Sequence, residues 1–192
     1  MLELKLRRHR KNREGVQDQL RTLIRRVHEL VAGLDRSTFN RRPGEGEWSV
    51  AECLDHLNAT ARLYLPELTE AIESARREGL TGSRRDGRTL VGRLIAWSME
   101  PPARFRMTTF AETEPDRDLE PEEVVDAFES LHEELIVRIN ESADLDRKRV
   151  KLRSVLDRRL KLSLDDWYAF LAAHARRHVW QAAKALERLE GQ

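Results

Sequence analysis

The chain has 192 residues, of which 40% are hydrophobic and 36% charged, and its formal net charge is +1. This length fits one domain with a substantial core, and the near-neutral charge excludes a global attraction to nucleic acid or to an anionic membrane. The sequence contains no run of about 20 apolar residues that would suit a membrane span. The single cysteine, Cys53, excludes an internal disulfide and fits a reducing compartment, so we expect a cytoplasmic protein.

Charge is segregated along the chain. Residues 112–134 hold eleven acids and one arginine, whereas residues 147–161 hold eight basic residues and one acid. Residues 1–15 form a basic N-terminal extension, which could be either a nucleic-acid arm or a solvated tail. Because no aromatic residue interleaves its charges, we favour the tail and expect no nucleic-acid partner.

The helical spacing of apolar residues predicts a first helix over about Val16–Leu34. A second helix is expected to start at Ser49, since Ser49 and Glu52 have the spacing of a capping box. Its apolar stripe runs toward Arg77. Pro66 falls inside this helix and removes one backbone hydrogen bond, which predicts a bend there.

The connection after the second helix is long. Glycines predict a flexible start, and the string "LVGRLIAW" predicts a short amphipathic segment. Residues 98–120 show no period, and a connection of that length in a compact domain is often functional. A second long connection, residues 143–162, is basic and irregular, and the alternation in "VKLRSVL" allows a short extended segment.

Two further helices complete the pattern. The third begins near Pro121, a residue favoured at the first helical position. The fourth begins at a second capping box, Ser163 with Asp166, and runs to about Leu189. The sequence therefore predicts an all-α fold, a four-helix bundle with long crossover connections that occupies residues 16–190.

The string "AAHARRHVWQAAKA" carries His174 and His178 one helical turn apart. Alternating steps of four and three from Trp167 place both histidines on the core-facing seam, where a buried imidazole needs a partner. That partner is either a metal ion or a neighbouring hydrogen-bonding group. Ala175 stands where zinc proteases carry a glutamate, which excludes that class of site.

A metal site needs a third ligand from another helix, because catalytic sites usually have three protein ligands and an open position. Among the other histidines, His9 and His28 are expected at the surface, and His132 borders the apolar stripe of the third helix. His56 lies on the second helix, on a face shared with Cys53. Cys53 could be a fourth ligand, but a lone buried thiol more often packs in the core.

The charged residues next to the histidines in the sequence are not expected to bind the metal ion. Arg176 and Arg177 are expected to point away from the seam, toward solvent or an acidic neighbour. Glu52 and Asp55 do not share the face of His56, so we expect them to support the site indirectly or to lie at the surface.

The strings "GEWSVAECLDHL" and "LSLDDWYAFLAAHARRH" resemble two signatures of the DinB-like helical bundle superfamily. This superfamily is metal-binding and includes low-molecular-weight-thiol transferases, which depend on bacillithiol or mycothiol, and also the mycothiol-dependent maleylpyruvate isomerases. The resemblance covers about Val16–Leu189. The two strings lie in the expected order on the second and fourth helices.

The resemblance implies that His56, His174 and His178 bind a divalent metal ion. Zinc or nickel suits imidazole ligands, and iron is also compatible with them. It further implies a thiol-dependent transfer to a small-molecule substrate, with a low-molecular-weight thiol as cofactor, and a homodimer. The alternative is a non-enzymatic stress-response or interaction module whose histidines or metal only stabilise the bundle.

Overall fold

The structure is a computed structural model that describes residues 15–82, 87–102 and 109–191. Most of the N-terminal extension therefore lies outside the described residues. The fold is all-α, as predicted. Four long helices are present, α1 (Val16–Val31), α3 (Val50–Arg77), α5 (Pro121–Glu141) and α6 (Leu164–Glu190), together with two shorter ones, α2 (Arg36–Asn40) and α4 (Leu90–Met99).

The four long helices form a bundle around one apolar core. Helix α3 packs against α5 and α6, and α1 packs against the same two helices, so α1 and α3 lie at opposite corners. Leucine, isoleucine, valine and aromatic side chains from all four helices are buried between them. Burial of these apolar stripes is the main favourable contribution to the free energy of folding.

Both predicted capping boxes are present. The Ser49 hydroxyl accepts a hydrogen bond from the Glu52 backbone N–H at 3.1 Å, and the Glu52 carboxylate accepts one from the Ser49 N–H at 2.9 Å. Ser163 and Asp166 make the same reciprocal pair at the start of α6. These local signals fix the first turns of the two helices that carry the candidate ligands.

The first helix ends at Val31, earlier than the predicted Leu34. Gly33 has a positive φ of 77°, a conformation that stops a right-handed helix. The next residues form the short helix α2, whose N-cap Asp35 accepts a hydrogen bond from the Thr38 N–H. Helix α3 continues through Pro66, as one element, and the bend there stays a prediction.

The segment "LVGRLIAW" belongs to α4, which packs against α6. The Asp166 carboxylate, which caps α6, also accepts a hydrogen bond from the Thr89 backbone N–H at 2.8 Å. One side chain thus ties together the starts of both helices. Ahead of α6, strands β1 (Lys151–Arg153) and β2 (Lys161–Ser163) form a small antiparallel hairpin, of which the sequence predicted only the first strand.

Within the described ranges, no helix combines the length and the apolar character that crossing a membrane requires.

Candidate metal centre

The structure brings together the three histidines that the sequence selected. His56 on α3 faces His174 and His178 on α6, all three are buried, and one ring nitrogen from each lies within 4.8 Å of the other two. The Nε2 atoms of His56 and His174 are 3.1 Å apart. Two nitrogens bound tetrahedrally to one zinc ion at ~2.05 Å would be about 3.3 Å apart, so the observed spacing fits a shared ion.

The orientation of the His56 ring is fixed from its far side. Its Nδ1 lies 2.6 Å from the backbone carbonyl oxygen of Thr113, which belongs to a short 3₁₀ helix, Ala111–Thr113. A carbonyl can only accept, so Nδ1 carries the hydrogen and donates it. The neutral ring then directs the Nε2 lone pair into the cluster, an arrangement typical of metal-binding histidines.

The other two rings are held by aromatic contacts. His174 stacks on Phe170, with ring centroids 5.6 Å apart and planes 11° apart. His178 stacks on Trp48 at 5.6 Å. The Nδ1 atom of His178 is buried and has no hydrogen-bond partner among the described residues. Such an atom costs free energy unless a ligand satisfies it, so the donor set fits a metal ion.

Burial keeps these histidines neutral. Desolvation lowers the pKa of His56, and desolvation together with the nearby His56 lowers the pKa of His174 to about 3. The pKa of His178 is also lowered, first by desolvation and then by its two histidine neighbours. Neutral imidazole is the form that binds metal, so the site is ready for a cation near neutral pH.

The remaining histidines do not belong to the cluster. His28 is exposed and contacts the Glu129 carboxylate, as expected for a surface residue. His132 is buried, as its position beside the apolar stripe allowed, but its Nδ1 donates to the Phe128 carbonyl oxygen in its own helix. His9 lies outside the described residues.

Cys53 is fully buried in the core and is not part of the histidine cluster. Desolvation raises the pKa of its thiol far above the usual value. A thiol in that environment stays protonated, and a protonated thiol is a poor metal ligand. Of the two interpretations that the sequence left open, the structure favours packing.

The two carboxylates near His56 hold local structure. Glu52 is buried, forms an ion pair with Arg42 and closes the capping box of α3, so of the two positions expected for it the structure favours indirect support over the surface. Asp55 accepts a hydrogen bond from the Asp116 backbone N–H at 3.0 Å. That bond fastens to α3 the loop that carries the Thr113 carbonyl, so Asp55 supports the site indirectly.

The expectation for the two arginines of α6 was half right. Arg176 forms an ion pair with Glu100, an acidic neighbour, as predicted. Arg177 instead is buried and lines the cavity beside the histidines. The reason is helical geometry. A side chain three residues after His174 is rotated about the helix axis by only about 60° from the His174 side chain, so Arg177 lies at the border of the seam.

A cavity of about 680 Å³ leads to the cluster. The three histidines and Arg177 are buried at its inner end, and Lys184 and Arg188 are exposed at its mouth. Its walls carry five aromatic side chains, those of Trp48, Tyr64, Phe110, Phe170 and Trp180. Such a volume and lining suit a small organic ligand.

The sequence did not identify three residues that shape the site. Thr113 acts through its backbone carbonyl, which no side-chain pattern reveals. Arg177 was assigned to the wrong side, and Phe170 carried no signal beyond its place four residues before His174. That spacing puts two rings on one helix face, and it could have indicated the stacking.

No curated protein and no solved structure gives a significant match to this chain. A family model described as the DinB superfamily matches residues 19–182, a region that contains the four long helices in large part and all three histidines. The match covers more than half of the chain and agrees with the helical fold and the histidine cluster. The chain belongs to the DinB superfamily.

Proposed function

We propose that the protein binds a divalent metal ion through His56, His174 and His178 and uses it to transform a small molecule. The observation that carries this proposal is the convergence of three neutral imidazoles at the inner end of a cavity. Three ligands of this kind leave a position free for substrate, as catalytic metal sites require. Nitrogen ligands suit zinc or nickel, and iron as well.

A divalent cation bound there would act as a Lewis acid, lowering the pKa of a water molecule or thiol that reaches it. The protein's own residues have separate tasks. The Thr113 carbonyl orients His56, while Trp48 and Phe170 keep the other two rings in place. The aromatic walls limit the access of water to the reacting groups.

We infer that the reaction is the transfer of a low-molecular-weight thiol to a small electrophile, or a related transfer or hydrolysis. Membership of the DinB superfamily supports this choice. The described residues around the cluster include no thiol of the protein that could replace an external one, since Cys53 is buried in the core. A cytoplasmic location and a homodimer stay predictions.

Metal analysis of protein purified without a histidine tag tests the proposal first. We expect about one divalent ion per chain, and its loss in His56→Ala. His28→Ala is the matched control, because His28 is an exposed histidine outside the cluster, and it should keep the ion. Wild-type protein without metal, or His56→Ala with full occupancy, would refute the metal site.

Thiol transfer is tested separately. Bacillithiol and mycothiol are each mixed with 1-chloro-2,4-dinitrobenzene, and thiol loss is followed with metal-loaded protein, chelated protein and His56→Ala. We expect acceleration by the loaded protein alone. A bound ion that raises the melting temperature without any thiol loss would instead support the non-enzymatic module. In that case the ion on His56, His174 and His178 would only link α3 to α6.

A further inference from the structure

Helix α4 exposes a concentration of apolar side chains. The described residues include six large apolar side chains that are exposed, and four of them belong to α4, a helix of 10 residues. Leu90 is 86% exposed, Leu94 62% and Val91 57%. Isolated apolar residues at a surface are ordinary, whereas a contiguous apolar patch indicates an interaction site. We call these three side chains the α4 stripe.

The α4 stripe lies on the side of the helix that faces away from α6. Gly92 and Met99 are the buried residues of α4, which packs against α6. At about 100° per residue, Leu90 is rotated by about 180° from Met99, and Leu94 by about 160° from Gly92. Helix α4 is therefore apolar on two opposite faces, a pattern typical of a helix that is covered on both.

Hydrogen bonds hold α4 in a fixed position on α6. The Thr89 hydroxyl accepts a hydrogen bond from the Gly92 N–H at 3.0 Å, which caps the helix. The same hydroxyl donates to the Asp166 carboxylate at 3.0 Å, and the Thr89 N–H donates to it at 2.8 Å. A partner would thus meet a preformed surface, and ordering of α4 would cost little of the binding free energy.

The spacing of the apolar residues indicates a helical partner. Leu90, Leu94 and Trp97 follow steps of four and three residues, as do the seams between packed helices. A second copy of this chain offers the same uncharged stripe, and a two-fold axis would bring the two stripes face to face. A membrane surface fits less well, because the formal net charge of +1 gives little attraction to anionic lipid.

The area of the α4 stripe is sufficient for the centre of a dimer interface. Its three side chains expose on the order of 300 Å² of apolar surface per chain. A standard interface buries about 1,600 Å², of which roughly 1,000 Å² is apolar. Two copies of the stripe would therefore supply more than half of the apolar area that a stable dimer needs.

We propose that two copies of this chain associate through the α4 stripe, with α4 of one copy packed against α4 of the other about a two-fold axis. The proposal goes beyond the proposed function and does not rest on it, since none of the three histidines lies on α4. Met99, on the opposite face of α4, lines the cavity that leads to the histidine cluster. The interface and the cavity are therefore on different sides of this helix.

Sedimentation equilibrium of the full-length protein between about 1 and 100 μM tests the proposal. We expect a wild-type dimer, and a dissociation constant at least about 100-fold higher in the double variant Leu90→Asp/Leu94→Glu. The double variant should fold, because an acid at the first position of a helix interacts favourably with the helix dipole and glutamate has a high helix propensity. Its melting temperature is compared with that of the wild type at the lowest concentration.

Val137→Asp is the matched control. Val137 is an exposed apolar residue, 43% exposed, but it lies on α5 outside the stripe. The variant should dimerise like the wild type. A wild type that is monomeric at the highest concentration would overturn the proposal, and so would a dimer that is equally stable in the double variant.

Two further measurements separate this proposal from the alternatives. Vesicles of phosphatidylcholine and phosphatidylglycerol are sedimented with the protein, and binding by a monomeric wild type that the double variant loses would assign the stripe to a membrane and overturn the proposal. Metal content is determined for every sample. A dimer that depends on the stripe in a wild type without metal would support this interface while the proposed function fails, and a metal-loaded monomer would do the reverse.

Discussion

The Nδ1 atom of His56 lies 2.6 Å from the backbone carbonyl oxygen of Thr113, which joins a candidate ligand on α3 to the crossover between α4 and α5. The crossover itself is fastened to α3 by the hydrogen bond from the Asp116 N–H to Asp55. The long connection that lacked any helical period therefore fixes the tautomer of a ligand. The described residues 109–120 of this connection are therefore part of the site, as the outer partners of metal-binding histidines usually are.

Metal binding should stabilise the folded protein. An ion that binds only the native state adds about 2.7 kcal/mol to the free energy of unfolding at a concentration of 100 times its Kd. We expect zinc at that concentration to raise the free energy of unfolding of metal-free wild-type protein by this amount, and to leave that of His178→Ala unchanged. The measurement is urea unfolding followed by circular dichroism, with and without zinc.

Cys53→Ala provides the control for that prediction. The Cys53 thiol is buried in the core away from the cluster, so the variant should be less stable than the wild type but should gain the same increment with zinc. An increment that disappears in Cys53→Ala would show that the thiol is a ligand after all. An increment that persists in His178→Ala would show that the ion binds elsewhere.

The sequence predicted the part of the site that local rules determine. The capping boxes at Ser49 and Ser163 set where α3 and α6 begin, and the seam positions of His174 and His178 follow from the heptad steps counted within α6. These features depend on residues within about two turns of one another, where spacing alone is informative. His56 was selected by its resemblance to a family signature.

The rest of the site depends on contacts between distant segments. The Thr113 carbonyl reaches His56 across 57 positions, through a backbone atom that every residue type possesses. The prediction for Arg177 was wrong because a heptad pattern assigns each position either to the core-facing seam or to solvent. A cavity beside the seam can bury a residue that the pattern assigns to solvent. Strand β2 was missed because its pairing with β1 is also a tertiary feature.

The contact between Gly92 and Asp166 should be sensitive to a single methyl group. A Cβ atom at Gly92 would lie 1.9 Å from the Asp166 carboxylate oxygen, which already binds the Thr89 N–H. Alanine normally favours a helix over glycine by up to about 1 kcal/mol, but here the overlap should outweigh this gain. We expect Gly92→Ala to lower the free energy of unfolding by about 1–3 kcal/mol, measured by urea unfolding.

Gly191→Ala is the matched control for that substitution. The nearest atom to a Cβ at Gly191 is 3.5 Å away, an ordinary contact, and φ there is −89°. The free energy of unfolding should change by less than about 0.5 kcal/mol. If Gly92→Ala were as stable as the wild type, α4 would not be held against α6 through the Asp166 cap.

Acid should destabilise the metal-free protein through its buried histidines. Burial lowers the pKa of His132 in the folded protein from 6.5 to about 4. Below about pH 6.5 the unfolded chain therefore binds a proton that the folded chain does not, so stability that is complete above this pH is lost as pH falls toward 4. His132 alone should cost about 1.4 kcal/mol of stability between pH 7.5 and 5.5.

His132→Gln isolates one of these contributions, because His132 lies outside the histidine cluster. With chelator present, urea unfolding at the two pH values should show a loss of stability smaller by about 1.4 kcal/mol in this variant than in the wild type. If His132→Gln and the wild type lost the same amount of stability, His132 would bind its proton as readily in the folded protein as in the unfolded chain. That result would contradict a pKa lowered by burial of His132 in the core.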